Sequence, residues 1–156
     1  MVQRYSIRRA RVADLDRIMG IERASFGSDA YDRNLFAAYT RKCGELFLVA
    51  ECSQKVWGYA LTCLAARKSG GVWAGRAELV SVAVDPAARR TGAAKALMDS
   101  TLRRLRLRGV SRLGLTVKVT NETARAFYER YGFEKVRIVR AYYEDGQDGW
   151  LMVKYL

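Results

Sequence analysis

The chain contains no histidine, and this absence excludes several kinds of active site. Without an imidazole group there is no Ser-His-Asp triad or Cys-His pair, and most zinc sites lose one of their usual ligands. Proton transfer in such a protein depends on tyrosine, carboxylate, lysine, cysteine or water. We therefore expect no bound metal.

Cysteine is scarce as well. The three cysteines, Cys43, Cys52 and Cys63, are an odd number at wide spacing, and none belongs to a Cys-x-x-Cys pair. This pattern predicts buried, reduced thiols, not a disulfide framework or a metal site.

Long hydrophobic runs are missing. No apolar stretch approaches the length of a membrane span, and the first ten residues contain no apolar region of the kind found in signal peptides. Half of the 156 residues are nevertheless hydrophobic, which is enough for a globular protein with a core. We expect one domain, residues 1–156, in a cytoplasmic protein that does not bind membranes.

Acidic residues are outnumbered by basic ones, 16 against 28, so the formal net charge is +12. Such a surface attracts anions, among them coenzyme A, acidic peptides, a ribosomal surface and nucleic acid. An ordinary solvated surface explains the same charge. No aromatic interleaving or nucleic-acid motif supports sequence-specific recognition of nucleic acid.

The most informative stretch is Glu78–Gly109. A near-continuous run of small and β-branched residues, 79–84, predicts a buried strand. Pro86 ends that strand because proline lacks the N–H that a ladder needs. A turn of arginine and small residues follows, and then an amphipathic helix that Gly109 closes.

A strand, a small-residue turn and a helix N-terminus together can bind an anion. The first N–H groups of the helix have no partner inside it, and the helix dipole adds partial positive charge. Gly92, Ala93 and Ala94 leave room for a phosphate, and Arg89 and Arg90 add full charges. An ordinary strand–turn–helix corner remains the alternative.

Hydrophobic periodicity and turn residues predict the other elements. The predicted strands are residues 5–9, 46–51, 56–66, 113–117, 136–142 and 150–155. A first helix starts at Asp14 and ends near Phe26. A second is capped by Ser28 or Asp29 and closed by Gly44, and another is capped by Asn121 and closed by Gly132. A glycine-bearing loop covers residues 68–76. This order lacks the alternation of a doubly wound fold and predicts one mixed α/β sheet.

Two motifs resemble the GNAT superfamily of N-acetyltransferases. The spacing Arg89-x-x-Gly92-x-Ala94 resembles its acyl-CoA pyrophosphate loop. The pattern Asn121, Ala124, Tyr128, Gly132-Phe133 resembles its fourth helix. The resemblance implies an α/β (α+β) GNAT fold. This fold has a single mixed, mostly antiparallel sheet of six to seven strands and four flanking helices. Acyl-CoA lies in a cleft between the central fourth and fifth strands.

The resemblance also implies roles for individual residues, with acetyl-CoA as the cosubstrate. The loop holds the pyrophosphate, and the strand backbone pairs with the pantetheine amides. Asn121 contacts the pantetheine arm, and Tyr128 lies near the sulfur as the general acid. A plain helix cap and a core aromatic are the alternatives for Asn121 and Tyr128. The residues so assigned to acetyl-CoA are Val82, Ala83, Val84, Arg89, Arg90, Thr91, Gly92, Ala93, Ala94, Asn121 and Tyr128.

The C-terminal segment Tyr142-Tyr143-Glu-Asp-Gly146 is similar to the closing hairpin of protein N-terminal acetyltransferases, including the ribosomal-protein-alanine group. The resemblance implies that Tyr142 and Tyr143 contact the backbone of an incoming peptide, with Phe26 and Tyr31 in the same slot. The substrate implied is a protein or peptide N-terminus, which includes ribosomal ones. Hairpin or core packing is the alternative for all four residues.

The general base is where the chain departs from the bacterial members of this group. They carry a glutamate on the fifth strand, and Thr116 stands at the matching position. Glu78, acting through water, is the best remaining carboxylate, although a solvent-facing strand end also explains it. An α-amine has a pKa near 8, against roughly 10.4 for lysine, so its deprotonation at neutral pH costs about 1.4 kcal/mol instead of about 4.6. A weak base is therefore less harmful to an enzyme that acts on α-amines.

Three other functions remain open at this point. In the first, the fold is the same and the acceptor is a small amine, an antibiotic or a lysine side chain. In the second, the arginine-rich stretch 103–112 makes the protein a basic binding module. In the third, a GNAT-like domain binds acetyl-CoA without turnover, an alternative that Thr116 motivates. A monomer or a homodimer is expected.

Overall fold

A computed structural model describes residues 3–65 and 75–156. These residues form seven strands and four α-helices. The strands are β1 Ser6–Arg9, β2 Phe47–Cys52, β3 Lys55–Leu64, β4 Arg76–Val84, β5 Arg112–Lys118, β6 Glu134–Val139 and β7 Gly149–Tyr155. The helices are α1 Leu15–Phe26, α2 Arg33–Lys42, α3 Ala93–Leu107 and α4 Glu122–Arg130. Most of the predicted loop 68–76 and the end of the predicted strand 56–66 lie outside the described residues.

The strands form one mixed sheet in the order β1-β2-β3-β4-β5-β7-β6. The pairs β1–β2, β2–β3, β5–β7 and β6–β7 are antiparallel, and β4–β5 is parallel. The predicted fold class, a mixed and mostly antiparallel sheet of six to seven strands with four helices, is confirmed. The predicted place of acyl-CoA in that sheet stays a prediction.

The chain is divided into two compact units. The N-terminal unit comprises Met1–Cys63 and Val80–Arg108, and the C-terminal unit comprises Leu64–Leu79 and Gly109–Leu156. Among the described residues no helix is both long and apolar enough to span a lipid bilayer.

The core of the N-terminal unit forms because α1 is apolar on one face. Leu15, Ile18 and Met19 are spaced for one side of a helix, and all are buried. They join an aromatic cluster in which the ring of Phe36 lies 5.9 Å from Phe47 and 5.6 Å from Tyr59. Each such buried side chain contributes about 1.5–3 kcal/mol. A second cluster packs the start of α3 against β2 and β3.

The predicted start of α2 at Ser28 or Asp29 is wrong. Asp32 is the N-cap, because its carboxylate accepts a hydrogen bond from the Leu35 N–H at 2.8 Å. Ser28 and Asp29 instead lie in a 3-10 turn that follows α1. The helix ends at Lys42, and Gly44 begins another 3-10 turn. Ser, Asp and Asn are all good caps, so local sequence does not decide among neighbouring ones.

The C-terminal unit packs Leu113, Leu115 and Val117 of β5 and Met152 of β7 into its interior. Its helix α4 ends as predicted at Gly132, which adopts the left-handed conformation with φ 89°. The N–H of Gly132 donates to the Glu129 carbonyl and that of Phe133 to the Tyr128 carbonyl. This is a Schellman motif, which a hydrophobic contact often accompanies.

The prediction of three reduced cysteines is wrong for two of them. Cys43, just after α2, and Cys63, on β3, form a disulfide with Cα atoms 5.2 Å apart. Cys52 is a free, partly exposed thiol. The bonded residues are 20 positions apart, and their proximity results from the packing of α2 near β3. Counting and spacing cysteines does not reveal such a contact.

Candidate active-site residues

The turn between β4 and α3 is tightly ordered by its own hydrogen bonds. The Asp85 carboxylate accepts from the Ala87 N–H at 2.8 Å, and Pro86 opens a short 3-10 turn there. Asp85 also pairs with Arg17 at 2.6 Å. The hydrogen bond from Ala87, with help from Arg17, lowers the pKa of Asp85. The turn is thereby anchored before the predicted pyrophosphate residues begin.

Those residues then form an open helix N-terminus. Arg90 has φ 64° and Gly92 φ 94°, so the chain twice enters the left-handed region before α3 starts. Gly92 is the N-cap and has no side chain, so its own position supplies no capping oxygen to the first N–H groups of α3. Arg89 and Arg90 are exposed beside it. An uncapped helix terminus flanked by two guanidinium groups fits a diphosphate.

Thr91 and Ala93 have structural contacts within this loop. The Thr91 hydroxyl donates to the Ala88 carbonyl and is hydrogen bonded to the Tyr5 hydroxyl at 2.6 Å. Ala93 is buried against the core of the N-terminal unit. Their side chains therefore stabilise the turn, and the groups that these two residues present to a ligand are those of the backbone.

The strand residues that precede the turn alternate between two environments. Ala83 is buried in the core cluster that contains α1 and α2. Val82 and Val84 are partly exposed and pack against the cluster of α3 with β2 and β3. The side chains thus hold the strand in place between two apolar layers.

Phe26 and Tyr31 flank the connection between α1 and α2. Both are partly buried and pack against the core of the N-terminal unit. The ring of Tyr31 lies 6.0 Å from that of Phe36 in an edge-to-face arrangement. Core packing, the alternative weighed for these two residues, is therefore present, and it leaves part of each ring accessible.

A buried polar cluster beside this connection was not found from the sequence. The Glu22 side chain on α1 is 1% exposed, and its Oε1 accepts from the hydroxyl of Tyr59 and, at 3.4 Å, from that of Ser81. Its Oε2 accepts from the backbone N–H of Tyr31 at 2.9 Å. Burial raises the pKa of the Glu22 carboxyl, and these hydrogen bonds oppose the rise. One signal was available, because Glu22 occupies a position on the apolar face of α1.

In the C-terminal unit, Asn121 is the N-cap of α4, as the sequence predicts. Its side-chain oxygen accepts from the Ala124 N–H at 3.2 Å, and the residue is exposed. Both the capping function and a ligand contact at the amide are compatible with this placement.

Tyr128 lies about two turns further along α4. Its ring sits 5.5 Å from Phe127 and 5.7 Å from Phe133, both edge to face. Burial in this aromatic setting raises the pKa of Tyr128 to about 12. The phenol therefore stays protonated at physiological pH and carries a proton that it can donate.

The sheet register brings Glu78 close to the position that lacks the expected glutamate. Glu78 on β4 is exposed and pairs with Gly114 on the parallel strand β5. Thr116 stands two residues beyond Gly114 and therefore projects from the same face of the sheet. Glu78 and Thr116 are therefore neighbours on one face of the sheet.

The two hairpin tyrosines contact each other and the end of β5. Their ring centroids are 5.0 Å apart, and Tyr142 is 47% exposed. The Tyr143 hydroxyl points toward the Thr116 carbonyl at 3.5 Å, and the Lys118 ammonium lies 5.0 Å from the Tyr143 ring. Asp148 accepts from the Ala141 N–H at 2.8 Å and holds the segment before them. The pair lies beyond β6, in the turn before β7.

The chain is similar to known proteins over most of its length. The sequence model of the acetyltransferase (GNAT) family matches residues 13–133. The chain is 30% identical to an N-alpha-acetyltransferase of Sulfurisphaera tokodaii over 95% of this chain and 91% of that protein. It is 33% identical to an uncharacterized N-acetyltransferase of Methanocaldococcus jannaschii over 95% and 90% of the two chains.

Two solved structures show the same similarity. The crystal structure of Ard1 from Thermoplasma volcanium superimposes with a TM-score of 0.89 at 26% identity, covering 97% of each chain. The ribosomal-protein-S18-alanine N-acetyltransferase of Escherichia coli gives 0.80 at 28% identity, over 97% of this chain and 94% of that one. The protein belongs to the GNAT acetyltransferase family.

Proposed function

We propose that this protein transfers the acetyl group of acetyl-CoA to the N-terminal α-amine of a protein or peptide. The observation that carries the proposal is the open N-terminus of α3 at Gly92, flanked by Arg89 and Arg90, in a chain whose relatives include an N-alpha-acetyltransferase over nearly its full length. We treat residues 1–156 as one catalytic domain.

The residues predicted to bind acetyl-CoA contact two different parts of the molecule in this proposal. We assign the diphosphate to the first N–H groups of α3 and to the two arginines, and the pantetheine arm to the backbone of Val82–Val84 and to Asn121. Bound acetyl-CoA supplies an activated acetyl group as a thioester. The chain supplies orientation and charge.

Two side chains handle the protons. The α-amine attacks the thioester carbonyl, so a C–N bond forms as the C–S bond breaks, and the nitrogen loses one proton. We assign that proton, through a water molecule, to Glu78, since Thr116 has no basic group. The departing sulfur takes a proton from Tyr128, whose phenol remains neutral near pH 7.

We assign the acceptor site to the two hairpin tyrosines together with Phe26 and Tyr31. An exposed aromatic pair with hydroxyl groups offers both apolar surface and hydrogen bonds, which suits the backbone of an extended peptide. We further propose a cytoplasmic enzyme, a monomer or a homodimer, that meets nascent or ribosomal N-termini there.

The test uses a library of short peptides and mass spectrometry after incubation with acetyl-CoA. Each peptide carries a free α-amine and an internal lysine, and a matched copy has its α-amine blocked. We expect acetylation of the free α-amine and none of the blocked copy. Acetylation at lysine, or of free small amines alone, would show that the enzyme uses a different acceptor. Binding of acetyl-CoA without any transfer would show that the protein is a binding module without turnover.

A further inference from the structure

The buried carboxylate of Glu22 is unusual in having no cationic partner. Among the described residues Glu22 forms no ion pair, and its contacts are the hydroxyls of Tyr59 and Ser81 and one backbone N–H. Tyr59 is itself fully buried, and its hydroxyl also bonds that of Ser81 at 2.8 Å. A buried carboxyl group costs stability unless it is hydrogen bonded, so the cluster is held as a unit.

Within the described part of the chain, Glu22 makes one hydrogen bond outside the helix and sheet, and it is with the connection between α1 and α2. That connection runs from the end of α1 at Phe26 to the start of α2 at Arg33, and apart from the short 3-10 turn Gly27–Asp29 its backbone is irregular. The Tyr31 N–H donates to Glu22 Oε2 across nine residues of sequence. The bond therefore fixes the backbone of a residue assigned to peptide binding, next to Phe26.

We infer that Glu22 is a positioning residue for the peptide substrate: it holds the backbone of Tyr31, while Tyr59 and Ser81 hold Glu22. Ser81 directly precedes Val82 on β4, so the same cluster is anchored to the strand assigned to pantetheine. Loss of the bond frees the Tyr31 segment and leaves the strand, which the sheet still fixes. The catalytic part of this inference rests on the proposed function, whereas the bond to Tyr31 does not.

Two substitutions separate the positioning function from simple packing. Glu22→Met keeps the length and volume of the side chain and removes both acceptor oxygens. Glu22→Gln is the matched control, because its amide oxygen still accepts from Tyr31 and its NH₂ group donates to Tyr59. If Glu22→Met does not fold, as urea unfolding would show, Glu22→Leu takes its place, since apolar residues of similar volume often replace buried charges at little cost.

The first readout is hydrogen exchange of the Tyr31 amide, which needs no substrate. A hydrogen bond to a charged group contributes about 1.5–3 kcal/mol, so we expect exchange about 10- to 100-fold faster in Glu22→Met and near wild type in Glu22→Gln. Amides of β2 serve as the internal reference and keep their rates. Unchanged exchange at Tyr31 in Glu22→Met overturns the inference.

The second readout is the KM for an acceptor peptide, measured beside the Kd for acetyl-CoA. We expect Glu22→Met to raise the peptide KM about tenfold or more while the acetyl-CoA Kd changes less than twofold, and Glu22→Gln to restore the KM. Faster exchange with an unchanged KM, or an equal rise in both constants, overturns the positioning function. If the wild-type protein acetylates no peptide, the proposed function fails, and hydrogen exchange still decides whether Glu22 holds Tyr31.

Discussion

At the scale of single residues, the proposed chemistry depends on a phenol that remains neutral. The aromatic surroundings of Tyr128 raise its pKa to about 12, so it carries its proton through the whole physiological range. The resemblance of Asn121–Phe133 to the fourth helix of the GNAT family implies the identity of this residue. It does not predict the pKa, because Phe127 and Phe133 surround the phenol only after α4 has formed and turned at Gly132.

Replacement of Tyr128 by phenylalanine tests it as the acid. General acid catalysis contributes typically 10²–10⁴-fold, so we expect kcat to fall by about that factor. The Kd for acetyl-CoA, measured by calorimetry, is expected to stay within about twofold, because the ring and its packing remain. Tyr155→Phe, at an exposed tyrosine on β7, is the control and keeps wild-type kcat. Full activity in Tyr128→Phe would remove this residue from the mechanism.

The raised pKa of Glu22 makes a further prediction about pH and stability. The folded protein retains a proton at a pH where the unfolded chain, with a pKa near 4.3, has released it. The contribution of this group to the free energy of unfolding is fully present below the unfolded pKa and is lost as pH rises through the folded pKa. Tyr59, the other titratable group in the cluster, has a pKa raised well above 10 by burial and stays neutral.

Glutamine at position 22 cannot titrate, so it escapes this loss. We expect the free energy of unfolding of Glu22→Gln, relative to wild type, to be higher at pH 7 than at pH 4. Urea unfolding at four pH values measures it, and the difference between the two proteins cancels the titration of Asp14 and Asp85, whose pKa values are lowered. A difference that is constant over this range would contradict a raised pKa.

At the scale of elements, helix ends were predicted unevenly. Asn121 and Gly132 were found from the sequence because cap residue, apolar spacing and closing glycine agree. The start of α2 was missed, since Ser28, Asp29 and Asp32 are all suitable caps and tertiary packing chooses among them. The same limit explains the other omissions: Tyr59 and Ser81 stand 37 and 59 residues from Glu22, beyond the reach of any local pattern.

The two functions assigned to Asn121 can be separated at the level of the helix. Asn121→Ala removes the cap and is expected to cost about 0.5–2 kcal/mol of unfolding free energy. Asn121→Ser restores a capping oxygen and most of that stability, yet it lacks the amide proposed to contact pantetheine. We expect both variants to bind acetyl-CoA more weakly, as measured by calorimetry beside urea unfolding. If the serine variant recovers affinity together with stability, Asn121 is only a cap.

At the scale of the whole molecule, the net charge of +12 favours anionic partners. The family and the sheet were predictable from the sequence because two motifs and the hydrophobic pattern agree over most of its length. A protein or peptide N-terminus was predicted as the acceptor from the resemblance of residues 142–146 to a family hairpin. The conformation of the tyrosine pair was not predicted, since no short pattern fixes that turn segment.

Salt should therefore distinguish between acceptor peptides. We compare two peptides that differ in acidic residues against the corresponding amides after the first position. Because the Debye length shrinks from about 10 Å at 0.1 M to about 3 Å at 1 M, we expect kcat/KM for the acidic peptide to fall about tenfold more than that for the amide peptide. Equal salt dependence of the two would show that the charge of the chain does not guide acceptors.

The bond between Cys43 and Cys63 makes the redox state of the cell part of the protein's stability. It closes a loop with a sequence separation of 20, and cross-links of this size contribute roughly 3 kcal/mol. Glutathione and thioredoxin keep most cytosolic thiols reduced, and hyperthermophiles are the notable exception. In a reducing cytosol the end of α2 loses its tie to β3. Enzyme isolated from an ordinary laboratory bacterium should then contain oxidised and reduced forms that melt at different temperatures.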